Sequence, residues 1–439
     1  MLKGPLLVAL LAALPVLSLA AGAAPSIPDT PAGHALSEWL EAFNSGDRAT
    51  YEAFAKAHAA WLELDEGMQL RERTGGYDLL DISESDRLWI VFRAKERARS
   101  AEAVGRLIVR SYDPDHITLL SLDSPGESST RIAVDEGERS RVIDGAVKLL
   151  NQFYVFPDVA ESVSAKLRRE QKRGAYRNIT DAATFAIRLS DDLAALSGDR
   201  HIGVDFWTEA VPDEPPPTRP HSDPQVLAAR NCGFEKAEHY SPNTGYVKIN
   251  WFDEPQYCAA TAMAAMNFLA DSEALIVDLR ENHGGAPQMS ALVSSYLFDE
   301  RTHLEDIYDR RQNSTEQLWT FPHLPGKKFT GKPIFVLTSS RTFSAGEQFS
   351  YDLKALKRAT LIGETTGGGA HPMSPHRIAD HFVIRVPFGR FINPVTKTDW
   401  EGTGVEPDIK VSAADALDIA KKLAAEAISK SRPHPAGSR

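Results

Sequence analysis

The chain contains 439 residues, of which 42% are hydrophobic and 25% are charged. This length exceeds one ordinary hydrophobic core, because domains commonly contain about 150 residues, and it predicts two or three domains. The composition, with 29 glycines and 27 prolines, excludes collagen, coiled-coil and wholly disordered classes. The 60 acidic and 49 basic residues give a net charge of -11. Such a surface repels phosphate backbones, so no nucleic-acid partner is expected.

Residues 1–24 have the layout of a cleavable secretory signal. Lys3 precedes an apolar run from Leu6 to Ala20, and the small residues AGAA follow at 21–24. The run is shorter than the roughly 20 apolar residues that a membrane-spanning helix needs, and no basic cluster follows it. We therefore expect the segment to be removed. The mature protein is predicted to be exported, either periplasmic or secreted, without membrane insertion.

The sequence pattern of residues 25–128 predicts an N-terminal α+β domain. Apolar residues at helical spacing indicate two helices, around 36–43 and 51–58. Strand-like composition follows in four segments, at 76–82, 87–93, 104–110 and 116–122. In element order alone, two helices before a curved antiparallel sheet resemble the nuclear transport factor 2-like cone. That resemblance implies a module for ligand binding or interaction.

The next part of the chain predicts a helical subdomain over residues 129–205. Three apolar faces recur at helical spacing, and Thr180 is the expected N-cap of the last helix. A short strand is expected at 202–206. The proline-rich stretch within 206–227 then predicts a linker.

Residues 228–427 alternate strand and helix patterns, and 428–439 are expected to form a tail. The predicted strands are 245–251, 274–279, 333–338 and 360–363, and the predicted helices are 258–270, 287–298 and 345–357. This alternation indicates an α/β core with a largely parallel sheet.

The two cysteines, Cys232 and Cys258, exclude a thiolate zinc cluster. In an exported chain they are candidates for a disulfide, and two buried free thiols are the alternative.

A candidate nucleophile, Ser344, lies between an apolar strand and a helix in the segment 338–347 (TSSRTFSAGE). At a helix N-terminus, unpaired amides and the positive end of the helix dipole stabilise an oxyanion. An ordinary N-cap serine is the alternative for an isolated residue of this kind. The double glycine Gly284-Gly285, which follows another buried strand, is a turn that exposes N–H groups and could supply a second donor.

Four segments in order resemble the motif set of the C-terminal-processing, or tail-specific, serine peptidase family: 278–285 (DLRENHGG), 338–347 (TSSRTFSAGE), 363–368 (GETTGG) and 401–409 (EGTGVEPDI). The resemblance covers roughly two thirds of the chain and excludes the N-terminal domain. It implies a crotonase-like (ClpP/crotonase) α/β core and a peptide or protein substrate. It also implies Ser344 as nucleophile, with Ala345, Gly284 and Gly285 as the oxyanion hole.

The resemblance also bears on the catalytic base. Family members with a Ser–Lys dyad carry the lysine about 25 residues after the serine, where this chain has Gly369. The tricorn-like branch uses an upstream histidine and a late glutamate, which His201 and Glu401 match. A neutral imidazole takes up the serine proton near pH 7. In that branch a serine before the histidine links it to the glutamate, but this chain has Arg200 there, so Asp199 or Glu401 itself could orient His201.

The roles of four further residues stay open. His371 is a rival base and His283 a weaker one, while Glu347 and Glu364 are either charged walls of the site or structural residues. No metal or other cofactor is expected, because the chain has neither a His-Glu-x-x-His helix nor a calcium loop. No PDZ domain is recognisable before the core. That arrangement resembles the modules of interphotoreceptor retinoid-binding protein, which leaves the binding of an apolar ligand such as a retinoid or fatty acid as the alternative function.

Overall fold

The structure, a computed structural model, describes residues 25–59, 62, 64–109, 116–123, 132–212 and 224–431. The predicted signal segment 1–24 and most of the predicted tail lie outside the described residues. The chain divides into two compact units, Met1–Ser128 and Ser129–Arg439. Among the helices of the described ranges, none combines the length and the apolar character that a membrane span requires.

In its described residues, the first unit contains three helices followed by a four-stranded antiparallel sheet in the order β1-β2-β3-β4. The elements are α1 (Pro31–Ser45), α2 (Arg48–His58), α3 (Leu64–Thr74), β1 (Tyr77–Ser85), β2 (Trp89–Glu96), β3 (Glu102–Val109) and β4 (Ile117–Asp123). Both predicted helices and all four strands are present, whereas α3 is not evident from the sequence. It has only partly buried apolar residues, so its helical periodicity is weak.

The core of this unit lies between α1 and the sheet. Trp39 of α1 stacks on Phe43 and packs against Phe92 of β2, with ring centroids 5.4 and 6.0 Å away. A cavity of about 630 Å³ adjoins these rings. The residues that line it include aromatic residues, partly buried leucines and an arginine of α3: Trp39, Phe43, Tyr51, Leu70, Leu122 and Arg73.

The second unit begins with three helices and a strand, α4 (Glu136–Phe153), α5 (Pro157–Arg173), α6 (Ala182–Ser197) and β5 (Gly203–Phe206). Helix α6 is capped by Asp181 and not by Thr180, the N-cap expected from the sequence. The Asp181 carboxylate accepts the Thr184 N–H at 2.9 Å, which satisfies an amide that the first helical turn leaves unpaired. Helix α6 ends at Gly198, whose φ of 75° is a left-handed conformation that glycine adopts without steric cost.

The remaining elements form a core of strands and helices. They are α7 (Pro224–Ala229), β6 (Phe234–Tyr240), β7 (Thr244–Ile249), α8 (Pro255–Phe268), β8 (Ala274–Asp278), α9 (Pro287–Ser295), β9 (His303–Asp309), β10 (Ser314–Trp319), β11 (Ile334–Thr338), α10 (Ala345–Ala355), β12 (Thr360–Gly363), β13 (Met373–Ala379), β14 (Phe382–Pro387), β15 (Gly389–Ile392), β16 (Ile409–Lys410) and α11 (Ala416–Ser431). A six-stranded sheet has the order β16-β12-β11-β8-β7-β6, and only the β6–β7 pair is antiparallel. The expected α/β core with a largely parallel sheet is therefore present.

Two smaller sheets, β13-β14-β5 and β10-β9-β15, complete the unit. Cys232 and Cys258 are joined in a disulfide that ties the segment before β6 to α8. Two predicted boundaries are corrected. The linker cannot extend to residue 227, because Leu227 lies in α7 and is buried in the core, and the core continues past 427, because α11 runs through Ser431 with Ile428 buried.

Strands β8 and β11 are buried along their whole length because helices cover both faces of the sheet. Alternate residues point to opposite faces. Leu275 and Val336 face the core that contains α8, α9 and α10, while Ile276 and Leu337 face α11. The continuous apolar runs that predicted these strands therefore reflect two-sided burial.

A buried pair of carboxyl groups, Asp352 of α10 and Glu305 of β9, lies inside the second unit. Asn393 Nδ2 donates to Glu305 Oε1 at 3.1 Å and to Asp352 Oδ1 at 3.2 Å, and all three residues are fully buried. Burial raises the pKa of Glu305 to about 7, and burial together with the neighbouring Glu305 charge raises the pKa of Asp352. The pair therefore holds a proton well above the pH at which exposed carboxyl groups lose theirs.

This pair predicts a pH-dependent stability. The pKa of Glu305 is raised in the folded state, so its contribution is complete below a pH of about 4.5 and is lost as the pH rises through about 7. The free energy of unfolding should fall over this window, by up to about 3 kcal/mol from this group. Chemical denaturation from pH 4.5 to 8 of the wild type and Glu305→Gln should give a flatter profile for the variant. Parallel profiles would contradict the prediction, and the exposed Glu300→Gln is the control.

Candidate active site

Ser344 lies in a sharp turn between β11 and α10, at the N-cap of the helix. Its φ and ψ are 53° and -119°, a left-handed conformation that costs a residue with a side chain about 1–3 kcal/mol. Strained turns between a strand and a helix are one way in which proteins expose a catalytic serine. The backbone strain therefore distinguishes Ser344 from an ordinary N-cap, whose backbone is extended.

Glu347, in the first turn of α10, holds this conformation. Its carboxylate accepts the Ser344 N–H at 2.9 Å and the N–H groups of Gly368 and Gly369 at 2.6 and 2.8 Å. The Thr366 hydroxyl also donates to it, at 2.5 Å. Burial raises the pKa of Glu347 to about 7, although these four hydrogen bonds favour the charged form. Of the two predicted possibilities, a charged wall or a structural residue, the contacts of Glu347 favour the second.

The Gly284-Gly285 turn lies directly against Ser344, because β8 and β11 are neighbouring parallel strands whose carboxyl ends meet at one edge of the sheet. A Cβ on Gly284 would lie 2.7 Å from the Ser344 Cβ, and a Cβ on Gly285 would lie 2.0 Å from the Phe252 carbonyl oxygen. The φ values of the two glycines are 105° and 135°. Close approach and backbone conformation therefore both require glycine here.

The structure corrects one of the predicted oxyanion donors. The Gly284 N–H donates to Oδ1 of the buried Asn282 at 2.9 Å, so it is already satisfied. By contrast, neither the Gly285 N–H nor the Ala345 N–H donates to another group in the described part of the chain. Gly285 and Ala345, which begins α10, therefore remain the available amides.

His201 lies in the loop between α6 and β5 and is buried. Its ring packs against Phe343, the residue before Ser344, with ring centroids 4.9 Å apart. Its Nδ1 lies 3.9 Å from Glu401 Oε2 and has no hydrogen-bond partner among the described residues. A Cβ on Gly369 would lie 2.6 Å from the His201 Cε1. The glycine at the position of the family's dyad lysine is therefore what leaves room for the imidazole.

Glu401 is held by backbone amides. The Arg200 N–H donates to its Oε1 at 3.0 Å, and the Ala370 N–H donates to its Oε2. The contact from Arg200 comes from the backbone and does not depend on the side chain. Glu401 is thus oriented beside His201 without the serine expected of tricorn-like sites.

The rival base His371 has a different environment. Its Nδ1 donates to Asp199 Oδ2 at 2.6 Å and lies 3.6 Å from Glu401 Oε2. Burial lowers the pKa of His371, but the hydrogen bond and charge of Asp199 and the charge of Glu401 outweigh this effect, and the pKa lies above its ordinary value. A histidine that holds its proton is poorly suited to act as a base.

His283 and Glu364 lie apart from this chemistry. His283 is exposed, and its backbone N–H donates to the Asn250 carbonyl at 3.2 Å. The Glu364 carboxylate accepts the N–H groups of Ser340 and Ala413 at 3.2 and 3.0 Å, which favours a structural role. A cavity of about 460 Å³ is lined by His283, Trp251 and Arg230.

Asp199, His371 and Glu401 bring three potential metal-ligand atoms within 4.8 Å of one another. The oxygens of this cluster already accept protein hydrogen bonds. Asp199 Oδ2 accepts from the Tyr154 hydroxyl at 3.0 Å and from His371, and Glu401 Oε2 accepts from the Ala370 N–H. We therefore interpret the cluster as a proton-holding network and assign no metal to it.

Sequence reasoning missed three contributors to the site. Asn282 satisfies Gly284, Phe343 supports the His201 ring, and Tyr154 binds Asp199. Asn282 stands two residues before the glycine turn, which is a local signal for a side chain that hydrogen-bonds a turn amide. No local signal identifies the other two, because their contacts join segments that are far apart in the sequence.

Two family models match this chain. Residues 243–411 match peptidase family S41, and residues 129–231 match the N-terminal domain of peptidase S41 in eukaryotic interphotoreceptor retinoid-binding protein (IRBP). Together the two matches cover more than half of the chain. The two matches assign residues 129–231 and 243–411 to peptidase family S41, and these residues have the architecture of a serine-type peptidase.

Relatives of known name share parts of the chain. It is 26% identical over 245 residues to carboxyl-terminal-processing peptidase 2, chloroplastic, of Arabidopsis thaliana, a match that covers 53% of this chain and 44% of the relative. It is 32% identical over 143 residues to tricorn protease of Thermoplasma volcanium, covering 32% of this chain and 13% of the relative. The chain thus spans less than half the length of these two relatives.

A solved structure is also similar. The photosystem II D1 C-terminal processing protease aligns with a TM-score of 0.39 at 16% identity, over 64% of this chain and 94% of that chain.

The geometry of the glycine turn gives a testable prediction. Gly284→Ala places a Cβ against Ser344 in a left-handed backbone, so labelling of Ser344 by a fluorophosphonate serine probe should fall at least tenfold, by about 1.4 kcal/mol or more in barrier. Gly331→Ala is the matched control, because Gly331 has a φ of 66° but no atom within 4 Å of its Cβ position. Equal labelling of the two variants would contradict an effect of close approach.

Proposed function

We propose that this protein is an exported serine peptidase that hydrolyses peptide bonds through an acyl-enzyme on Ser344. The observation that carries the proposal is the strained Ser344 turn packed against Gly284-Gly285, with His201 on the adjacent Phe343 and Glu401 beyond it. His201 acts as general base, and Glu401 supports it. The Gly285 and Ala345 amides form the oxyanion hole.

Each residue has a defined part in the reaction. His201 Nε2 takes the Ser344 proton as Oγ attacks the scissile carbonyl, which requires these atoms to approach to about 2.6–3.2 Å when substrate is bound. The imidazolium that forms is stabilised by the Glu401 carboxylate, 3.9 Å from Nδ1 in the free protein. The two amides stabilise the oxyanion. His201 then returns the proton to the leaving amine, and water, activated by His201, hydrolyses the acyl-enzyme.

The proposal also covers the type of core, the branch of the family, export and the role of the first unit. The α/β core is crotonase-like, the branch is tricorn-like without a PDZ domain, and residues 1–24 are a signal for export to the periplasm or exterior. Residues 129–205 form the helical subdomain. The first unit, with its cavity of about 630 Å³, is a nuclear transport factor 2-like module for ligand or partner recognition.

The alternative function is binding of an apolar ligand without chemistry. It is supported by the match of residues 129–231 to a domain of eukaryotic IRBP. Strain at Ser344 favours catalysis, because a binding cleft gains nothing from holding a serine in a conformation that costs about 1–3 kcal/mol. An apolar molecule that co-purifies with a protein inert to serine probes would support this alternative.

The proposal predicts the behaviour of two variants. Ser344→Ala should abolish labelling by a fluorophosphonate probe, because the probe bonds to the nucleophile. His201→Ala should lower both labelling and peptide hydrolysis by about 10³-fold or more, since the serine loses its base. Ser340→Ala, in the same loop but exposed, should react like the wild type. Unchanged peptide hydrolysis by Ser344→Ala would refute the mechanism.

A further inference from the structure

The proposed mechanism does not use the most deeply buried ion pair of the site. Asp199 is 1% exposed and His371 is 4% exposed, and their side chains are 2.6 Å apart. Burying two charged groups is costly unless each is paired and hydrogen-bonded. Both carboxylate oxygens of Asp199 accept hydrogen bonds. Oδ2 accepts from the His371 ring and the Tyr154 hydroxyl, and Oδ1 accepts the backbone N–H of His201 at 2.9 Å.

Glu401 lies between two imidazoles. Its Oε2 is 3.6 Å from the His371 Nδ1 and 3.9 Å from the His201 Nδ1. The same His371 Nδ1 contacts Asp199, so one ring lies between two carboxylates that are otherwise close together. Two carboxylates that share a buried site cannot both stay ionised without a nearby cation, because repulsion raises the pKa of one of them.

The net charge of this cluster changes when the reaction begins. With Asp199 and Glu401 ionised and His371 protonated, the cluster carries one negative charge while His201 is neutral. When His201 accepts the Ser344 proton, the cluster becomes neutral. The net charge of the buried cluster is therefore zero when the His201 imidazolium forms. Stabilisation at that stage lowers the barrier of the reaction.

We propose that His371 and Asp199 are positioning residues of this peptidase, and that the protonated His371 is the counter-ion that keeps Glu401 anionic beside His201. This inference rests on the proposed function. His371 does not touch the reacting atoms and acts only through Glu401. Arg200 supplies its backbone N–H to the opposite oxygen of Glu401, so the two oxygens of Glu401 are held by different parts of the network.

The charged and titratable groups around His371 come from three segments. They are Tyr154 after α4, Asp199, Arg200 and His201 between α6 and β5, and Asp399 and Glu401 before β16. The acidic groups all favour the protonated ring. Burial acts to raise the pKa of Asp199, but the hydrogen bond and charge of His371 outweigh this effect and hold the pKa below its ordinary value.

A double-variant experiment tests the inference. His371→Gln removes the cation, so Asp199 and Glu401 compete for a proton. The acid limb of the kcat/KM profile should move up by about one pH unit, which lowers kcat/KM at pH 6 about tenfold. Adding Asp199→Asn removes the competing negative charge and keeps an amide oxygen that can accept the backbone N–H of His201. The double variant should therefore be more active at pH 6 than His371→Gln alone, with its acid limb returned toward that of the wild type.

A purely structural role predicts the opposite result. The double variant would then be at least as impaired as His371→Gln, with no movement of the acid limb, and this outcome would overturn the proposal. His303→Gln is the matched control, because it removes a histidine that pairs with Asp306 at 2.9 Å. Its pH profile should match that of the wild type, and thermal unfolding of every variant identifies any that do not fold.

A second measurement is independent of turnover. In ¹⁵N-histidine spectra of Ser344→Ala, both ring nitrogens of His371 should be protonated at pH 7.5. Adding Asp199→Asn should remove one of these protons and leave the ring neutral. A neutral His371 in the spectrum of Ser344→Ala alone would overturn the proposal even if the enzyme is active. A wild type that neither reacts with the probe nor cleaves peptides would instead refute the proposed function, and the spectrum would still decide the state of His371.

Discussion

The site depends on one buried carboxylate. Glu347 lies in the first turn of α10, and its hydrogen bonds join the N–H of Ser344 to those of Gly368 and Gly369. The first contact holds the serine in its strained backbone. The other two hold the glycine segment that packs against His201. A single side chain thus sets the spacing between the nucleophile and the space that the base occupies, although it contacts neither reacting atom.

The large sheet provides the second constraint. Because β8 and β11 are parallel neighbours, the loops after them emerge at one edge, and the Phe343 N–H donates to the Asn282 carbonyl at 2.9 Å between those loops. Helices on both faces bury the strands completely. A sheet packed in this way is rigid, so the relative position of Ser344 and Gly284-Gly285 is determined by the core and not by the loops alone.

The sequence predicted those features whose signals are local. Long apolar runs identified β8 and β11, and small residues next to them identified the Ser344 turn and the glycine turn. The strands β6, β9, β10 and β13 to β16 were not predicted; β13 is half-buried along its whole length and β16 has only two residues. Helix α11 was also missed, since its buried face consists mainly of alanines. The pairing of His371 with Asp199 joins residues 172 positions apart, and no pattern within one segment contains that information.

Arg200 shows how the fold compensates for a missing side chain. In place of the serine that was expected before the histidine, this chain bonds Glu401 through the Arg200 N–H. A backbone donor works only if the loop points it at the carboxylate. Asp199 provides that direction, because its Oδ1 accepts the His201 N–H and constrains the turn on either side of Arg200. The carboxylate that holds the His371 proton therefore also shapes the loop that orients Glu401, so the charge of the network and its geometry depend on the same residue.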